Sequence, residues 1–75
     1  MSEPYQPIAC AFHEQLEMAA LKRKPVTLHL QDGRTLVGVI EDVWTAQGAE
    51  YLRLKSGQEQ LTLRLDSLER LGETG

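Results

Sequence analysis

The side chains of this 75-residue chain that could do chemistry are two histidines, one cysteine and a scatter of carboxylates. Cys10 precedes His13 by three residues, a spacing that could set a thiol beside a base. An acyl-transfer centre also needs an orienting group and an oxyanion hole, and the chain offers no such set. Neither His13 nor His29 has a cysteine or a second histidine at metal-ligand spacing, so no metal or other cofactor is expected. The six glycines are dispersed among turns, one bend and the tail, which rules out a phosphate-cradling loop. Cys10, being alone, closes no internal disulfide. The reading is of a protein that is not an enzyme.

Charge is more informative. Eleven acids against eight bases give a net charge of −3, the wrong sign for a chain that holds nucleic acid by neutralising phosphates. The first 21 residues carry three acids, Glu3, Glu14 and Glu17, and no Lys or Arg, so the negative charge is concentrated there. Glu14 and Glu17, three apart, share one face of a helix and could dock on a basic protein. The one basic cluster, Lys22-Arg23-Lys24, is read as complementing the helix dipole. The four aromatic residues are not interleaved with cations as a stacking platform for single strands would require. Trp44 is expected to plug the core.

The elements that must position these residues follow from periodicity. An extended arm is expected over residues 1–10, where Pro4 and Pro7 oppose helix. A helix is expected over 11–23, because Phe12, Leu16, Ala19 and Ala20 form one apolar stripe that leaves His13, Glu14 and Glu17 outside it; Pro25 ends it. The period then changes to two. Val26, Leu28 and Leu30 alternate with polar residues, Asp32-Gly33 reverses the chain, and a second strand runs from about Arg34 to Val43 with a bulge or bend expected at Gly38. A loop is expected over Trp44 to Ala49, then a strand over Glu50 to Lys55 and another through Leu61, Leu63 and Leu65. Leu68 and Leu71 are assigned to a fifth strand, and 72–75 to a frayed tail. The fold class is mainly β with one helix: an N-terminal α-helix followed by a strongly bent, five-stranded antiparallel barrel over 25–71, in one domain of 75 residues. Its apolar runs of four or five residues are far short of the roughly 18 to 20 that cross a bilayer. Glu3 and Pro4 stand where a signal peptide would be basic, so a cytoplasmic location is expected.

The stretch Val26 to Ile40, with its alternating aliphatics, Asp32-Gly33 turn and Gly38, resembles the first motif of Sm-like domains. Tyr5-Gln6-Pro7-Ile8-x-Cys10, Leu16-Glu17-x-Ala19, Asp32-Gly33, Glu50-Tyr51-Leu52 and Leu63-Arg64-Leu65-Asp66, in this order and spacing, resemble the Rho-binding antiterminator family Rof, also called YaeO, over roughly residues 5 to 71. That resemblance implies an Sm-like barrel preceded by a helix, no catalysis, and binding to the transcription terminator Rho near its primary RNA-binding site. The contact surface it implies is His13, Glu14 and Glu17 on the helix with Ala46, Gln47 and Gly48 in the loop. Ala11 and Phe12 stand where relatives often carry acids, and Thr45-Ala46-Gln47 is neutral, so binding is expected to depend on Glu14, Glu17 and shape. The expected function is a monomeric inhibitor that keeps RNA from loading onto Rho, with no direct nucleic-acid contact. The alternative is an Sm-like RNA-binding module acting as a ring-forming chaperone.

Overall fold

The computed structural model describes residues 7–73, without the side chain of Glu73. Most of the expected arm, residues 1–6, and the tail positions 74–75 lie outside the described residues. The order of elements is helix α1 (Cys10–Lys22), strands β1 (Pro25–Leu30), β2 (Thr35–Ala46), β3 (Ala49–Ser56) and β4 (Glu59–Arg64), a single 3-10 turn (Leu65–Ser67), and β5 (Leu68–Glu73). One helix followed by five antiparallel strands is the expected class. None of the described helices is long and apolar enough to cross a membrane.

The apolar stripe of α1 buries Leu16 completely and Ala19 nearly so, with Phe12 and Ala20 at its margins. The helix ends where Arg23 takes a left-handed conformation, φ 53°, and its N–H donates to the Ala19 carbonyl at 3.0 Å. Pro25 biases the residue before it away from helix and lacks the N–H that another turn would use. Across from the helix, Leu28, Leu30, Ile40, Leu52 and Leu54 supply the inward side of the sheet, and Leu65 and Leu68 close the core at the 3-10 corner.

The strand order is β4-β3-β2-β1-β5. Among the described residues, β4 and β5 are joined by the 3-10 turn but form no ladder, so they are the two ends of the strand order. Ser67 shapes the corner: its hydroxyl donates to the Arg64 carbonyl at 2.6 Å, and its carbonyl accepts from the Gln31 N–H at 2.9 Å.

Three local expectations are corrected. The bulge in β2 falls between Ile40 and Asp42, not at Gly38. Gly38, paired with Val26 of β1, instead stands next to the residue where the two ladders of β2 overlap, Val39, which pairs with Pro25 of β1 and with Lys55 of β3. A Cβ on Gly38 would stand 2.4 Å from the Lys55 carbonyl oxygen, so only glycine admits this approach of backbones. The six-residue loop over 44–49 is also absent. Trp44 to Ala46 continue β2, Ala46 pairs with Ala49, and only Gln47 and Gly48 turn, at φ 52° and 78°. Positive φ at both central residues is the geometry of a tight reversing hairpin. Finally, β5 runs on to Glu73, two residues past the expected boundary, because its ladder with β1 reaches Val26↔Glu73.

The Asp32-Gly33 turn forms as expected, with Gly33 at φ 92°. The Arg34 N–H donates to Asp32 Oδ1 at 3.0 Å and the Arg34 guanidinium Nε donates to Oδ2 at 2.7 Å. The backbone bond, reinforced by the side chain of Arg34, holds the Asp32 carboxyl below its ordinary range.

Candidate partner interface

Each expected contact residue has a definite place in this fold. Glu14 is exposed on α1 and lines a groove of about 550 Å³ together with Met18, Val26 and Leu71. Glu17 is exposed and borders a depression of about 340 Å³ that it shares with Glu41 and Asp42 of the β2 bulge. His13 is half-buried between two acids: Nδ1 lies 2.5 Å from Glu17 Oε1, one helical turn on, and Nε2 contacts Glu50 Oε2. Both contacts are hydrogen bonds when each ring nitrogen carries a proton, and the imidazolium then offsets one of the two carboxylates.

Glu50 is two residues beyond Gly48, so the His13–Glu50 contact ties the acidic helix to the strand leaving the Gln47–Gly48 turn. Gln47 and Gly48 are exposed and Ala46 is half-buried. The structure thus links two sets of residues at least 29 positions apart in the chain. His29 stands apart from this linkage, half-buried on β1 opposite Thr35 and Arg70.

Sequence reasoning places Glu50 within a motif but gives it no role. Its parity is the available signal: Glu50, Leu52 and Leu54 share one side of β3, so this carboxylate is aimed with the core residues towards the helix. Trp44 is not the core plug expected of it. Val43, opposite the buried Leu52, takes the inward position, which leaves Trp44, opposite Tyr51, on the other side of the sheet. There the two rings stack with centroids 5.9 Å apart, and the Arg53 guanidinium lies 5.8 Å from the Trp44 ring centroid. Cys10 is exposed at the start of α1. The carboxylates of Glu17 and Glu50 approach opposite nitrogens of His13, and among the described residues no group of three or more His, Cys, Asp or Glu side chains could hold a metal ion.

An acidic helix pinned to a neutral hairpin turn is a surface suited to a basic macromolecule, and comparison with known proteins gives its family. The profile of the family described as "Modulator of Rho-dependent transcription termination (ROF)" matches residues 7–74. The chain belongs to the Rof family. The protein Rof of Escherichia coli strain K12 and that of Shigella flexneri are each 35% identical to it over 68 residues, which cover 91% of this chain and 81% of theirs. The Rof match spans α1 and all five strands, so the helix and the hairpin that His13 and Glu50 join both lie inside the family region.

Proposed function

We propose that this protein is a non-catalytic inhibitor of Rho that acts in the cytoplasm, docking near the primary RNA-binding site of Rho and preventing RNA from loading, so that termination fails. Membership of a family of modulators of Rho-dependent termination carries the reading. The contact surface is His13, Glu14 and Glu17 of α1 with Ala46, Gln47 and Gly48 at the β2–β3 turn. What supports that assignment is the exposure of Glu14 and Glu17 and the His13–Glu50 contact beside the turn.

The physical logic is charge complementarity. A surface that binds RNA is basic, and a carboxylate-bearing helix is attracted to it while repelling phosphate. The acids here are few, so shape at the Gln47–Gly48 turn shares the recognition. The test is to mix the protein with purified Rho and labelled RNA: loss of RNA from Rho with formation of a Rho complex is expected, and the absence of a complex at tens of micromolar overturns the reading.

A further inference from the structure

The hairpin that carries Glu50 towards the helix presents a different chemistry on its other side. Trp44 and Tyr51 are register partners there, their planes inclined by 24°. Arg53 lies over Trp44, but its nitrogens are 3.7 Å from Glu41 and 3.8 Å from Asp42, beyond hydrogen-bond length. Asp42 uses Oδ1 to accept the Val43 N–H at 2.9 Å, which leaves Oδ2, among the described residues, with only the distant Arg53. Arg64, opposite Tyr51, is held by Asp66 through two bonds, Nε to Oδ1 at 2.9 Å and Nη2 to Oδ2 at 2.5 Å.

These details select the occupant. Ring faces attract cations, and so does a carboxylate oxygen whose nearest cation stands off at 3.8 Å. A phosphate would meet the carboxylates of Glu41 and Asp42, and Arg64, opposite Tyr51, is already held by Asp66. The surface is continuous with the docking face, because Asp42 shares its depression with Glu17 and the two rings flank the Gln47–Gly48 turn. Aromatic residues at such a position commonly dominate binding energy.

We propose that Trp44, Tyr51 and Asp42 form a second contact with Rho that receives an arginine or lysine side chain of that protein, an assignment that rests on the reading that this chain docks on Rho. Trp44 is the chain's single tryptophan, so 5-hydroxytryptophan incorporated in its place can be excited apart from any tryptophan of Rho. Its quenching by acrylamide should fall several-fold when Rho is added and stay unchanged with single-stranded RNA alone. Trp44→Leu and Asp42→Asn should each weaken Rho binding by about tenfold with unaltered circular dichroism; Asp42→Asn keeps the oxygen that accepts the Val43 N–H, so it tests the contact even if Trp44→Leu fails to fold. Full quenching in a Rho complex, with wild-type affinity for Asp42→Asn, overturns the second contact and leaves the docking reading standing. Protection by RNA without Rho overturns it in favour of a nucleic-acid surface. If the wild-type protein forms no complex with Rho, both proposals fall.

Discussion

His13 reaches from the first turn of α1 to Glu50 at the start of β3, and this one contact holds an acidic helix against the turn that follows β2. Both side chains are 27% exposed, so the pair is neither fully screened nor fully desolvated. Removing either partner, as in His13→Ala or Glu50→Ala, is expected to cost about 1 kcal/mol of stability, near the net worth of a partly solvated hydrogen bond. Urea unfolding of both single variants and the double variant should give non-additive losses. Strict additivity would show that the two residues do not act through each other. Rho binding should weaken in the same variants, because helix and turn are no longer held in register.

Charge reversal tests the helix face separately. Glu14→Lys with Glu17→Lys should lower affinity for Rho by at least about tenfold and flatten its dependence on salt, while the circular dichroism spectrum stays that of the parent. Binding at wild-type strength would move the interface off α1.

Gly38→Ala should be among the most damaging small substitutions in the chain. The added methyl would press on the Lys55 carbonyl at 2.4 Å, and that oxygen belongs to backbone that cannot swing aside. A loss of at least about 2 kcal/mol is expected, enough to reduce soluble yield. Urea titration decides; a change below about half a kcal/mol would mean that β2 can shift at its crossing.

Asp32 gives stability a pH dependence of defined sign. Its folded carboxyl titrates below the ordinary range because of the Arg34 bonds, so its contribution is present above that range and is lost as pH falls through the depressed value. Asp32→Asn should therefore be less stable than wild type at neutral pH, with the gap closing under strongly acidic conditions. A gap that widens on acidification would contradict the assignment.

The parts of the fold that are legible in the sequence are those set by local rules. Leu16 and Ala19 at helical spacing, Val26, Leu28 and Leu30 at alternate spacing, and Asp32-Gly33 as a positive-φ turn each signal their own conformation. The features that are not legible depend on residues distant in sequence. Gly38 reads as a bulge or bend, and the close approach of the Lys55 carbonyl that demands glycine there depends on where β3 lies; the true bulge, a few residues on, involves an ordinary Glu41. Gln47 carries no turn signature of its own, so a tight hairpin reads from the sequence as a longer loop. Size argues for Trp44 in the core, but parity with Val43 and Leu52 overrides size. The acids of the helix are visible from their spacing; their link to the hairpin is not, because it passes through Glu50, 37 residues beyond His13.

The most direct test of the central claim is the occupancy of Rho by a labelled RNA as this protein is added. The account predicts that RNA is displaced in step with formation of the protein complex, and that the Glu14, Glu17 double reversal removes both effects together. RNA that stays bound to Rho while the complex forms would contradict it.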